Sequence, residues 1–157
     1  MRILGIDPGS YKTGWGVIEK RGPRVHGIKA DVISVSKKLP LEKRLRSIHE
    51  EIEKVIAEYQ PDAVAIEDIF FGKFANAALK LGHARGVALL AAAQAELPVH
   101  SYPPTVVKRT VVGRGRATKE QVSRLVGAIL GWRELPAIDA TDALAAAITH
   151  AQAHQKK

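Results

Sequence analysis

The pattern of apolar and polar positions divides the chain into segments of two different periods. Arg2 to Asp7 (R-I-L-G-I-D) is almost continuously apolar and stops at Pro8-Gly9, the pattern of a strand buried on both faces and closed by a turn. Thr13 to Glu19 and Val25 to Val35 carry β-branched residues on either side of the turn-forming Arg21-Gly22-Pro23, which predicts two more strands completing an antiparallel meander. From Leu41 the period lengthens: Leu41, Leu45, Ile48, Ile52, Val55 and Tyr59 recur every three or four residues among charges, an amphipathic helix ended by Gln60-Pro61. Asp62 to Glu67 (D-A-V-A-I-E) reads as a short apolar strand, and the helical crossover before it makes it parallel to the first. Phe74 to Glu96, rich in Ala and Leu, predicts a long helix and Pro98 to Tyr102 a fifth strand. A weaker helical pattern covers Lys119 to Leu130, and a strong one runs from Asp139 to about His150. The expectation is an α/β fold. A five-stranded mixed sheet, a three-strand antiparallel meander plus parallel strands, should carry helices on both faces, in one domain covering residues 1–157 with its last few residues frayed.

Composition narrows the function classes. The chain has 24 Lys and Arg against 16 Asp and Glu, a formal charge of +8, and no cysteine. Disulfide scaffolds, thiol nucleophiles and cysteine-built zinc sites are excluded. The positive surplus directs attention to polyanions, since basic side chains that neutralise phosphates release condensed counterions. The apolar start is interrupted at Asp7-Pro8, and the longest later run, Val87 to Ala93, is far below the roughly 18 residues of a membrane span. Neither a signal peptide nor a membrane segment is expected, and a cytoplasmic location is.

Four acids end or begin apolar elements: Asp7, Glu67, Asp139 and Asp142. Asp7 and Glu67 close two parallel strands, so both can emerge at the sheet edge where open α/β folds place their sites. Asp139 and Asp142, spaced i, i+3, share one face of a helix. If that face packs at the same edge, four carboxylates converge, and they would repel one another unless divalent cations neutralised them. Hard oxygen donors select Mg²⁺ or Mn²⁺, and two such ions can support phosphodiester cleavage. The plain reading of each acid alone is a turn residue or a helix cap. Asp68 faces the opposite side of the strand from Glu67 and is left out of the set.

In these segments the sequence resembles the RuvC-type Holliday junction resolvases of the RNase H-like, retroviral-integrase superfamily. The matching stretches are G-I-D-P-G-S at Gly5 to Ser10, A-I-E at Ala65 to Glu67 and A-L-K-L-G-H-A-R-G-V at Ala78 to Val87. V-K-R-T-V-V-G at Val107 to Gly113 and D-A-T-D-A-L-A-A-A-I-T-H at Asp139 to His150 complete the set. They occur in order over nearly the whole chain. The resemblance implies an RNase H-like fold and Mg²⁺-dependent endonuclease action on four-way DNA junctions, with two ions per subunit and Mn²⁺ able to substitute. It implies that Asp7, Glu67, Asp139 and Asp142 form the catalytic and metal-binding tetrad, although some members carry histidine at the position of Asp139. It further implies paired, symmetric cuts leaving 5′-phosphate and 3′-hydroxyl ends, a homodimer, and the RuvA and RuvB branch-migration proteins as partners in recombination and repair. Three alternatives are weighed on the residues alone. An actin-like or sugar-kinase ATPase fragment, suggested by the Asp7-Pro8-Gly9 loop, would need two such domains where 157 residues hold one. A non-catalytic junction-binding module would be expected to lose one of the four acids, and all four are present. An RNase H-like nuclease acting on RNA stays open.

Lys108 to Lys119 holds five basic residues (Lys108, Arg109, Arg114, Arg116, Lys119) and no acid, with Gly113 and Gly115 at its centre, and reads as a flexible loop able to follow a phosphate backbone. The resemblance places Lys108 and Lys119 beside the scissile phosphate, where they would stabilise charge in the transition state; the arginines are assigned to backbone contact. It also implies that Phe70 stacks on an unpaired base, with the adjacent Phe71 as competitor for that role. Ala78, Gly82 and Gly86, four apart in the long helix, make a stripe without bulk that suits either close packing within the chain or a dimer interface. His150 and His154 have chelating i, i+4 spacing, but they sit at a helix C-terminus, where histidine is favoured electrostatically, and are read in that way.

Overall fold

The computed structural model describes residues 1–69 and 75–154. Five strands, β1 (Arg2–Asp7), β2 (Lys12–Arg21), β3 (Arg24–Ser34), β4 (Ala63–Glu67) and β5 (Val99–Tyr102), form one sheet in the order β3-β2-β1-β4-β5. β1 pairs antiparallel with β2 and β2 with β3, while β1-β4 and β4-β5 are parallel. The mixed sheet expected from the sequence is therefore present.

Alternation along β1 and β4 assigns the two faces. Leu4, Ile6, Val64 and Ile66 pack with Ile48, Ile52 and Ile56 of α1 (Leu41–Tyr59) and with Ala88, Ala91 and Ala92 of α2 (Ala75–Gln94). Ile3 and Ala65 face the other way, into a core built with α3 (Pro104–Val112), α4 (Lys119–Leu130) and α5 (Ile138–Ala153). Helices thus cover both faces. α1 ends where the sequence suggested: Gln60 adopts a left-handed conformation and its N–H donates to the carbonyl of Ile56.

Two expectations need correction. Lys108 to Lys119 is not one flexible loop: Pro104–Val112 is helical, with Pro104 in its first turn and Gly113, at φ 89°, as its left-handed C-cap. Lys108 and Arg109 therefore stand on a helix, and residues 113–118 alone connect it to α4, whose start is fixed by a reciprocal capping box between Thr118 and Gln121. The stripe of Ala78, Gly82 and Gly86 makes no close packing with the described residues, because a Cβ placed on either glycine would meet nothing among them within 4 Å. The buried stripe of α2 is instead Ala84, Ala88, Ala91 and Ala92, and Leu79 and Leu90 lie exposed beside the glycines. Among the described residues no helix is long and apolar enough to cross a membrane.

Candidate active site at the carboxylate edge

In β1 and β4, Ile6 pairs with Ile66, which brings Asp7 and Glu67 to the same level of neighbouring parallel strands. Their alternation partners Gly5 and Ala65 lie on the α5 face, so both carboxylates point toward that helix. α5 reaches them because two strand residues lack side chains. A Cβ on Gly14 would stand 1.9 Å from the carbonyl oxygen of Asp139, and one on Gly5 would stand 1.9 Å from that of Ala143. The N-terminal half of α5 is thus seated backbone-to-backbone on β1 and β2. Asp139 and Asp142 lie in this half, and neither caps the helix: the N-cap is Ala137, with no side-chain cap bond. Their plain reading as caps is removed.

The turn after Asp7 is held by a residue that sequence reasoning missed. Buried Thr13 donates from Oγ1 to the carbonyl of Gly9 at 3.0 Å and accepts from the Gly9 N–H at 3.3 Å. A second missed residue, Arg85 of α2, donates to the Glu67 carbonyl at 2.9 Å and to Ser101 Oγ at 2.7 Å, tying the ends of β4 and β5 to the helix. Its guanidinium also lies 3.4 Å from Asp68, which accounts for Asp68 standing apart from the acidic set. A pocket of about 160 Å³ opens beside Asp7 and Glu67, with Pro8, Asp68, Leu81 and Arg85 in its described wall.

The electrostatics show that the four acids share one environment. Burial, followed by the charges of Asp142, Glu67 and Asp139, pushes the Asp7 carboxyl from 3.8 up to about 7, against the opposing effect of Lys119. Glu67 is raised by burial and by Asp142, and Lys108 and Lys119 oppose the shift. Asp142 is raised by burial, opposed chiefly by Lys119, whose Nζ lies 3.6 Å from its carboxylate. Asp7, Glu67, Asp139, Asp142, Lys108 and Lys119 therefore meet at one edge. Burial and mutual repulsion hold three of these groups toward their neutral forms, and a divalent cation would let them ionise. An all-oxygen donor set of this kind fits Mg²⁺ or Mn²⁺. Arg109, Arg114 and Arg116 are exposed on α3 and the connection after it. Phe70, with its neighbour Phe71, lies outside the described residues.

Comparison with known proteins places the chain in a family. The family model for crossover junction endodeoxyribonuclease RuvC matches residues 3–150. The chain is 49% identical over 153 residues to the RuvC of Sorangium cellulosum, covering 98% of this chain and 86% of that one. It is 51% identical over 151 residues to the RuvC of Syntrophotalea carbinolica, covering 96% and 94%. Among solved structures, Thermus thermophilus RuvC in complex with Holliday junction substrate superposes with a TM-score of 0.93 at 38% identity, covering 99% of this chain and 95% of that one. The RNase H-like architecture is shared along with the sequence, and the actin-like alternative raised by the Asp7-Pro8-Gly9 loop falls away. With acids and lysines gathered at one sheet edge and about half of its residues identical to these relatives along almost its full length, the chain belongs to the RuvC family of crossover junction endodeoxyribonucleases.

Proposed function

We propose that this chain is a metal-dependent endodeoxyribonuclease that resolves Holliday junctions, cutting two opposed strands at symmetric positions and leaving 5′-phosphate and 3′-hydroxyl ends. The observation that carries the reading is the convergence of Asp7, Glu67, Asp139 and Asp142 with Lys108 and Lys119 at the edge where α5 is seated on the sheet. The four acids would hold Mg²⁺, two ions per subunit, with Mn²⁺ as substitute. Bound there, the ions supply a polarised water and neutralise charge on the leaving oxygen during phosphodiester hydrolysis.

The chain's own residues do the positioning. Asp7, the most strongly perturbed carboxyl, sits centrally among the other three acids. Thr13 and Arg85 hold the backbone on either side of the pair Asp7 and Glu67. Lys119 and Lys108 stand close enough to the acids to shift their protonation, and on a scissile phosphate they would stabilise the negative charge that builds up at phosphorus. Arg109, Arg114 and Arg116 present exposed positive charge for the DNA backbone, and Phe70 is assigned to base stacking. A two-fold symmetric junction asks for two identical sites related by a two-fold axis, which a homodimer supplies. The α2 face carrying Gly82, Gly86, Leu79 and Leu90, which the described residues leave open, is the surface we assign to that contact. RuvA and RuvB are the partners assigned by family membership.

The test is cleavage of a synthetic four-way junction, a linear duplex and a structured RNA, each in Mg²⁺ and in EDTA, by the wild type and by Asp7→Asn. Paired nicks confined to the junction, lost in EDTA and in the variant, are expected. Junction cleavage surviving either change would overturn the metal site, and preferential cleavage of RNA would overturn the substrate.

A further inference from the structure

At the end of α5 remote from the acids, the fold assembles a cluster of which sequence spacing showed only the His150 and His154 pair. His150 and His154 lie on the last turns of α5, and β5 adds His100, so that nitrogen atoms of all three imidazoles fall within 4.8 Å of one another. The ring centroids are 4.3 Å apart for His100 and His150, 4.1 Å for His150 and His154, and 5.2 Å for His100 and His154. Among the described residues no other group of three histidines or acids comes this close. His150 is two helical turns from Asp142, about 12 Å along the axis, so the cluster is separate from the carboxylate edge.

We propose that His100, His150 and His154 form a binding site for a borderline divalent cation of the Zn²⁺, Co²⁺ or Ni²⁺ class. Two of the imidazoles have one ring nitrogen occupied by a protein partner, as ligating histidines do, which leaves the other available to a metal. The Nδ1–H of His154 donates to the carbonyl of His150 at 3.2 Å, which leaves Nε2 with its lone pair. Nδ1 of His150 lies 2.7 Å from the hydroxyl of Tyr102, and donation to that oxygen leaves its Nε2 free in the same way.

His150, 1% exposed, cannot turn into solvent, whereas His100 is half-buried and His154 exposed, so the last two can close on an ion while His150 stays fixed. Tetrahedral zinc with bonds of about 2.0–2.1 Å needs nitrogen atoms about 3.4 Å apart, within reach of small side-chain rotations from the present spacing. Burial and the neighbouring imidazoles keep His150 neutral, its pKa pushed down from 6.5 to about 4, the protonation state a ligand requires. Lys20 is the charge opposed to a cation here, but its ammonium is spent on the carbonyls of Ala151 and His154, and the negative end of the α5 dipole acts the other way. Three imidazoles and no carboxylate or thiolate favour these borderline metals over Mg²⁺. The fourth position would be left to water. The bound ion would clasp the C-terminal end of α5 to the edge strand β5.

The experiment uses the full chain, free of any affinity tag, titrated with Co²⁺ in the presence of millimolar Mg²⁺ to occupy the carboxylates. The expected result is saturable visible absorption of a four-coordinate cobalt site at one equivalent, displaced by Zn²⁺. His154→Ala and, separately, His100→Ala should each weaken binding by at least about 100-fold. Zn²⁺ should raise the melting temperature of the wild type and not of either variant. Both substitutions spare the buried His150, and circular dichroism confirms that the variants are folded. Absence of a saturable cobalt spectrum, or binding unchanged in both variants, would overturn the site.

Discussion

The two ends of α5 place opposite chemistries on one rod. At its N-terminal half, carboxylates are pressed together until burial and like charge drive Asp7 to about pKa 7. At its C-terminal end, imidazoles pack ring against ring with no acid among them, and burial drives His150 the other way, to about 4. Both ends favour neutral side chains, but for different reasons. Asp7 is ionised in water at neutral pH and is pushed toward its neutral form by the fold, and Glu67 and Asp142 are pushed in the same direction, so the site is strained until cations arrive. The histidines are neutral in water at that pH already, so their packing stores little electrostatic strain. A cluster that the fold makes uncomfortable advertises a ligand it needs; a comfortable cluster can stand with or without one.

The sharpest way to break this comparison is Asp7→Asn. Cleavage of a four-way junction should fall by about 10³-fold, the scale of losing a group that acts on charge developing in the transition state. The same substitution should stabilise the protein in EDTA. The native Asp7 carboxyl holds its proton up to about pH 7, while the unfolded chain releases it near 3.8. The native state therefore binds more protons between these values, and wild-type stability falls as pH rises through this window and stays low above it. At pH 8 denaturant melts in EDTA should show Asp7→Asn more stable, by at most about 4 kcal/mol, with the difference gone at pH 3. Equal stability at pH 8 would show that the carboxylates are not strained.

Gly14→Ala tests the seating of α5. Its Cβ would enter the carbonyl of Asp139, and α5 must move away, so cleavage should drop by about 10²-fold and stability by about 1–3 kcal/mol. Lys119→Ala should lower single-turnover cleavage about tenfold with junction affinity nearly unchanged, whereas equal losses in both would make it a phosphate anchor. The smallest effect belongs to Tyr102, which stands in register with Glu67 on the adjoining strand and reaches His150 with its hydroxyl. Tyr102→Phe removes the hydrogen-bond partner of His150 and should cost about 1 kcal/mol in a denaturant melt without altering cleavage. A cleavage defect there would mean that the two ends are coupled.

Much of the fold was legible because burial leaves a pattern in the residues themselves. β1 is apolar on both faces because helices cover both, and α1 shows its buried Ile48, Ile52 and Val55 at helical spacing. The acids were legible because each interrupts or opens such a run. α3 was missed because its nine residues hold Lys108 and Arg109 among β-branched side chains; the signals that mark it are Pro103-Pro104 before it and Gly113 after it. His100 had no local signature at all. It meets His150 across fifty positions of chain, through strand order and the course of α5, and spacing within a helix reports nothing of that kind. Gly5 and Gly14 were visible as strand residues, but their purpose depends on a helix more than a hundred positions away.

That purpose bears on how the enzyme can change. A site aligned by well-filled side-chain packing can be retuned by swapping one apolar residue for another of similar size. Here Gly5 and Gly14 set the alignment by having no side chain, so every available replacement is larger, and the smallest of them already collides with backbone. The carboxylate edge is therefore confined to one arrangement, while the exposed arginines of α3 and the connection after it meet no such constraint.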